Sequence, residues 1–164
     1  MRRELEDQIL NGDGTGENFT GILNAGIGTE AAGSGPFYAL RAAKTDVQVN
    51  GHTTPNAIVM NPNDLEAIDL AVINTEVNHF VGPGPYATLP RTIWGMRVVE
   101  SEFIAENTAL VGDFSYAVLY DREQTTISVG TVNDDFIRNI VRVLAELRAG
   151  FGVVRPAAFG AVTV

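Results

Sequence analysis

The sequence predicts an α+β protein, and a few local patterns carry that prediction. The apolar run Ala57-Ile58-Val59-Met60 leads through Asn61-Pro62 into Leu65, Ile68, Leu70, Val72 and Ile73, a strand followed by a helix. From Ile93 to Thr131 several segments rich in β-branched and aromatic residues follow one another with no helix-patterned stretch between them. An apolar fraction of 45% with 19% charged residues is that of a chain able to bury a core.

The elements follow in order. Met1 to Leu10 is charged and helix-favouring, with Leu5, Ile9 and Leu10 to one side, and reads as the tail of a helix. Asn11-Gly12-Asp13-Gly14-Thr15-Gly16 stops it, because glycine takes turn and left-handed conformations at little cost. Glu17 to Gly35 is rich in Gly, Ala, Asn and Thr and is expected to be irregular, anchored inward by Ile22 and Leu23. Pro36 suits a first helical position, and Phe37, Leu40, Ala43 and Val47 recur at helical spacing until Asn50-Gly51.

After the strand at Ala57–Met60, Asn61 is the expected N-cap and Pro62 the first turn of a helix reaching about Thr75. Asp64 and Glu66 suit the positive end of its dipole. Val81 to Pro90, with Gly82-Pro83-Gly84-Pro85, reads as an exposed loop. Strands are expected at Ile93–Ser101, Thr108–Val111, Ser115–Asp121 and Thr125–Thr131, with Arg122-Glu123-Gln124 as the hairpin turn between the last two.

Asp134 to Val154 has two readings. Phe136, Ile140, Leu144, Leu147 and Phe151 fit a helix, while Val141, Val143, Ala145, Leu147, Ala149, Phe151 and Val153 fit a long strand. Pro156 ends either one, and Ala157 to Val164 is expected to be a final apolar strand.

The balance of charge restricts partners. Eleven basic against twenty acidic residues give a net charge of -9, which argues against a nucleic-acid surface, since that needs a basic footprint. With 0 cysteines there is no disulfide framework, thiolate metal site or cysteine nucleophile. Two arginines open the chain without an apolar stretch behind them, so a signal peptide is not expected. No run of roughly 18 apolar residues is present to span a membrane as a helix.

Residues that might carry chemistry are few. Asn11 to Gly16 is the segment most like an anion-binding loop, because clustered glycines expose backbone N–H groups. A nucleotide loop also needs Gly-Lys and then Ser or Thr, whereas Glu17 and Asn18 follow Gly16, and Asp13 repels phosphate. A structural turn is therefore expected, and a small anion- or nucleotide-binding enzyme is the rival. His52 and His79 lie in or beside loops without the i, i+4 partner of a helical metal site. Asp134-Asp135 is expected to cap a turn rather than to act as a catalytic carboxylate pair. No catalytic residue, metal or cofactor is expected.

Arg138, Arg142, Glu146, Arg148 and Arg155 are strung along an otherwise apolar segment. On a strand Arg138, Arg142, Glu146 and Arg148 would share one face, which is either solvated or a subunit interface where arginines meet acids of a neighbour.

Taken in sequence order, these pieces resemble a family. Ile9-Leu10-Asn11-Gly12-Asp13-Gly14-Thr15-Gly16 before Gly21-Ile22 looks like the stretch after the spine helix in tailed-bacteriophage major capsid proteins of the Hong Kong 97 type. Val59-Met60-Asn61-Pro62 with Asp64 is similar to that family's helix entry, and Trp94-Gly95, Val98-Val99, Gly112-Asp113-Phe114 and Asp121-Arg122 continue it in order. Phe136, Asn139, Glu146, Arg148 and Pro156 match its C-terminal pattern.

The resemblance implies an α+β fold with an axial A-domain of mixed sheet and flanking helices, and a peripheral P-domain with a long β-strand. Residues 17–130 would be the A-domain, and 1–16 with 131–164 part of a discontinuous P-domain, so the segment after Asp134 would run as strand. Family members carry an N-terminal arm, an E-loop and most of the spine helix before the Asn-Gly-Asp-Gly step, so the likeness reads this chain as a C-terminal portion.

In function it implies a structural subunit of a phage or prophage icosahedral capsid, found in the virion and, during assembly, in the bacterial host cytoplasm. Partners would be other copies of itself in capsomers and other capsid or scaffold proteins. An encapsulin-type nanocompartment shell protein shares the fold and is the alternative. Some members join subunits by an isopeptide bond between an E-loop lysine and an asparagine, promoted by a glutamate. Asn139 and Glu146 are the matching positions, while Lys44, the one lysine, lies elsewhere.

Overall fold

The computed structural model describes residues 2–30, 35–74 and 91–164. Two sheets organise them. One has six strands in the order β1-β8-β5-β2-β4-β3, and the other is a two-stranded ribbon of β6 and β7. The strands are β1 (Gly28–Glu30), β2 (Ala57–Met60), β3 (Thr92–Ile93), β4 (Met96–Glu100), β5 (Thr108–Gly112), β6 (Ala117–Gly130), β7 (Arg142–Val153) and β8 (Phe159–Thr163). The helices are α1 (Arg2–Asn11), α2 (Pro36–Val49) and α3 (Pro62–Asn74).

The six-stranded sheet is covered on both faces, which explains why its central strands are uninterrupted apolar runs rather than alternating ones. Ile58 and Met60 of β2, with Ala109 and Val111 of β5, pack against Leu40 and Ala43 of α2 and Leu65 and Ile68 of α3. Val59 and Leu110 point the other way, into a second cluster with Leu10 of α1, Ile22, Ile104 and Phe159. The period of two along each strand thus separates two cores within one sheet. Leu70, expected on the buried stripe of α3, is half exposed.

Local chemistry sets the joints. Gly21 N–H donates to the Gly12 carbonyl at 2.8 Å, and a Cβ at Gly21 would stand 2.5 Å from the Gly12 nitrogen. The two glycines let α1 and the chain after it cross in contact. Asn61 caps α3, its Oδ1 accepting from Asn63 N–H at 3.0 Å, while its Nδ2 donates to the Ile104 carbonyl at 2.8 Å. Asp64, placed by charge in the first turn, accepts the Asn107 N–H through both oxygens.

Several expectations need correction. The expected strand Ile93–Ser101 is two strands, β3 and β4, folded back at Trp94-Gly95 with Ile93 opposite Met96. Both turn residues have positive φ, 53° and 79°, the signature of a two-residue primed hairpin turn. The hairpin expected at Arg122-Glu123-Gln124 is absent, and β6 runs straight through it. Those residues include no glycine, asparagine or proline to reverse the chain, so the ladder absorbs the surplus as irregularities at Asp121/Glu123 and Glu123/Thr126. Gly28–Glu30, expected to be irregular, forms edge strand β1 parallel to β8. The segment after Asp134 is a 3-10 turn at Asn133–Asp135, further turn to Asn139, and then strand β7, as the resemblance implied. The expected loop Val81–Pro90 lies outside the described residues.

Sheet pairing also crosses the expected division at residues 130 and 131. β6 pairs along its length with β7, and β8 sits inside the six-stranded sheet beside β5.

Candidate functional site

The β6–β7 ribbon is where this chain departs from a self-contained domain. Cross-strand partners share a face, so Val129 with Val143 and Ile127 with Ala145 make one continuous apolar surface. At its base that surface joins the second core through Phe151 and Val153. Phe151 packs beside Phe19 with ring centroids 6.4 Å apart. Further out nothing among the described residues covers it, and Ile127, Val129 and Val143 are each about two-thirds exposed. The opposite face carries Arg142, Leu144, Glu146 and Arg148 from β7, facing Ser128, Thr126 and Glu123.

The tip of the ribbon is built around Asp135. Its buried carboxylate receives the Arg142 guanidinium in a two-pronged contact and accepts the Val132 N–H at 3.0 Å. The Arg142 hydrogen bonds, and then the Val132 N–H, hold Asp135 below the ordinary carboxylate range, and the Asp135 carboxylate in turn raises Arg142. Asn133 and Asn139, at φ 54° each, bracket the turn in the left-handed region that asparagine tolerates better than most residues. Between them Phe136 and Ile137 project outward, 85% and 86% exposed.

The arginines expected to meet a neighbour's acids all have partners within the chain. Arg138 pairs with Asp134 at 3.6 Å, Arg142 with Asp135, and Arg148 with Glu123 at 3.5 Å. Arg155 stacks its guanidinium over Tyr116, 5.7 Å from the ring centre. Arg138 sits in the tip turn rather than on β7, so it does not share the strand face with the others. Glu146 lies exposed on the polar face of β7, and Asn139 ends the tip turn.

Asn11 to Gly16 is a structural turn. Asp13 takes the donors an anion would need, accepting from Thr15 N–H at 3.1 Å, Thr15 Oγ1 at 2.6 Å and Asn18 Nδ2 at 2.9 Å. Those bonds, Thr15's hydroxyl foremost, lower the Asp13 carboxyl to about 2. Gly112-Asp113-Phe114 is likewise a joint. Asp113 accepts from Thr53 at 2.7 Å and Asn56 at 2.9 Å, and Phe114 meets Phe159 edge to face at 5.4 Å. The Thr53 hydroxyl is the main reason the Asp113 carboxyl is lowered. His52 is exposed at φ 48° in the turn after α2, and His79 lies outside the described residues.

Sequence reasoning missed the tip pair. Phe136 was grouped with a helical stripe, and only the outward turn at Asn133–Asn139 shows that it faces solvent. The alternation from Val143 to Val153 did signal one face of the ribbon. The matching Ile127 and Val129 were hidden by the expected hairpin.

The chain is similar to the major capsid protein of Enterobacteria phage HK97, 31% identical over 158 residues, which is 93% of this chain and 40% of that protein. Among solved structures it matches the capsid of an empty GTA particle at 17% identity, covering 98% of this chain and 61% of that one with a TM-score of 0.74. It also matches the holo encapsulin complex from Synechococcus elongatus at 14% identity, covering 99% and 61% with a TM-score of 0.69. The chain thus spans 40% of the HK97 protein's length and 61% of each of the two matched structures. The phage capsid family matches it from residue 1 to residue 164. This chain belongs to the phage capsid family.

Proposed function

We propose that the chain is part of the structural subunit of a phage or prophage icosahedral capsid and works by associating with copies of itself into capsomers of the virion. The observation that carries this is the ribbon. Its apolar face grows out of the core, yet among the described residues nothing lies over Ile127, Val129 and Val143. Exposed contiguous apolar surface of this kind marks an association site. Identity of 31% to a phage major capsid protein supports a phage shell over a nanocompartment. The Asp13-filled turn at Asn11–Gly16 speaks against the nucleotide-binding alternative.

In this reading the six-stranded sheet with α2 and α3 is the axial domain and the ribbon the core of the peripheral one. In the same reading β6, which pairs with β7, goes with the peripheral part and β8, which lies in the six-stranded sheet, with the axial part, in place of the 17–130 division expected from sequence. Arg138, Arg142, Arg148 and Arg155 serve this assembly by holding the ribbon's shape, and Arg148 and Glu123 leave a charged face for neighbours or scaffold proteins. Asn139 and Glu146 are the positions that the resemblance to crosslinking family members offers for an intersubunit isopeptide bond. Lys44, the one lysine of this sequence, donates to the Trp94 carbonyl at 2.6 Å.

Sedimentation velocity over a hundredfold concentration range tests the reading. Reversible association into small oligomers or rings is expected, and Val143→Asp should weaken it at least tenfold. A strictly monomeric chain at every concentration would overturn self-association. Closed shells of many subunits, seen by light scattering, would contradict the expectation of small oligomers.

A further inference from the structure

The ribbon has two long edges, and only one of them is obstructed. Its strands pair with each other and, among the described residues, with no further strand. Each therefore turns a row of backbone N–H and C=O groups outward. Such an edge is a template for another strand unless bulges, proline or short length blunt it. β6 is blunted, because both irregularities of the ladder put their surplus residues on it, between Asp121 and Thr126. β7 carries no surplus residue and runs 12 residues without a proline, where a strand of about 5–6 is usual.

The sequence of β7 is complementary to its own reverse. Residues opposite each other in an antiparallel pair share a face. With a two-fold axis at Leu147, Glu146 of each copy stands opposite Arg148 of the other on the polar face. On the apolar face Leu147 meets Leu147, Ala145 meets Ala149, and Val143 meets Phe151. Moving the axis to residue 146 or 148 sets Glu146 against Glu146 or Arg148 against Arg148. An axis between two residues lays the apolar face of one copy beside the polar face of the other. Both charged groups have capacity for the contact. Glu146 is exposed opposite Thr126 and has no ion-pair partner among the described residues. Arg148 meets Glu123 through Nε at 3.5 Å with its side chain 67% exposed, so its terminal nitrogens can take a second carboxylate.

We propose that two copies join β7 to β7, antiparallel about Leu147, into a four-stranded sheet β6-β7-β7-β6. The contact is isologous and closes at two copies. Backbone hydrogen bonds supply the attachment, as in other strand additions, and the two Glu146–Arg148 pairs fix the register. The apolar face then runs unbroken across both ribbons and remains for further association. This inference rests on the self-association reading above and names the edge that it uses.

Covalent trapping tests it, since the sequence has 0 cysteines and a single introduced thiol reports alone. Leu147→Cys sets the two thiols opposite each other at a Cα separation of about 4.5–5.5 Å, within disulfide reach. Leu144→Cys is the control. It is the more exposed position, yet it lies three residues from the axis and so roughly 20 Å from its own copy. With oxidised glutathione, Leu147→Cys should give a disulfide-linked dimer at least tenfold faster than Leu144→Cys. Charge reversal is read by sedimentation velocity, with circular dichroism and a urea midpoint matching the parent to verify folding. Glu146→Arg and Arg148→Glu should each associate at least tenfold more weakly than the parent. Mixed in equal amounts they should recover a one-to-one dimer, because two arginines of one then face two glutamates of the other. Equal trapping at the two positions, or no recovery in the mixture, would overturn the β7 edge. If Val143→Asp still weakens association in that case, self-association through the ribbon face survives. A parent chain that never associates removes both proposals.

Discussion

Lys44 donates from its ammonium to the Trp94 carbonyl at 2.6 Å, so the one lysine of this chain holds its one tryptophan. The indole answers by donating Nε1–H to the Phe37 carbonyl at 3.2 Å, and Arg41 lies 6.0 Å over the ring. Trp94 therefore bridges the β3–β4 turn to α2 while remaining half exposed. It is a clasp on the outside of the core rather than a core residue.

The clasp can be opened from either side. Gly95→Val forces a branched residue to φ 79° and should lower stability by about 1–2 kcal/mol in urea unfolding. Lys44→Met should cost about 1 kcal/mol and shift tryptophan fluorescence toward that of a freely solvated indole. Unchanged emission with Lys44→Met would mean that the turn holds Trp94 without the lysine.

Gly51→Ala should be more damaging than its exposed neighbourhood suggests. A Cβ there would stand 2.3 Å from the Ala157 carbonyl oxygen and 2.4 Å from that of Val47. Both are backbone atoms, so neither moves without shifting α2 or the start of β8. A loss of about 3 kcal/mol is expected, and a urea midpoint equal to the parent's would refute the close approach.

Acid should destabilise the chain through Asp13. Its folded carboxyl is lowered to about 2 from an ordinary 3.8, so the stabilisation it provides is present above about pH 4 and fades as pH falls toward 2. Asp113 and Asp135 are lowered too and act in the same direction. Asp13→Asn should unfold less steeply with acid between pH 4 and 2 than the parent. A steeper loss in the variant would reverse the assignment.

Asp135→Ala should loosen the ribbon tip without unfolding the sheet. It removes the acceptor for Val132 N–H and the anchor of Arg142. Hydrogen exchange should accelerate at Val132 and Ile140, whose N–H groups are bonded around Asp135, while Ile58 and Leu110 stay protected. Equal acceleration throughout would show that the tip is coupled to the whole fold. Arg142→Lys, which gives up the two-pronged contact, should produce part of the same effect.

Elements whose signal is local were legible in the sequence. Proline at the start of α2 and α3, the Asn61 cap and the helical spacing of Leu40, Ala43 and Val47 are properties of a single turn. They fixed both helices to within a residue or two. The order of small motifs carried the family as well, because Asn-Gly-Asp-Gly, Asn-Pro, Gly-Asp-Phe and the C-terminal Asn139 and Pro156 lie at joints of the backbone. Gly21 against Gly12 and Asp113 under Thr53 are examples.

Other features depended on partners distant in the chain, and only the tertiary structure decided them. Gly28–Glu30 becomes a strand because Gly160–Val162 lies alongside, and nothing in its own residues says so. Arg122-Glu123-Gln124 passes straight on because β7 offers a ladder that tolerates surplus residues. The same apolar alternation reads as buried at Phe151 and exposed at Val143, since burial depends on what lies opposite. By itself the sequence determined the helices and the family. The fold decided where the apolar surface runs out of partners among the described residues, because that is settled by contacts that no local pattern encodes.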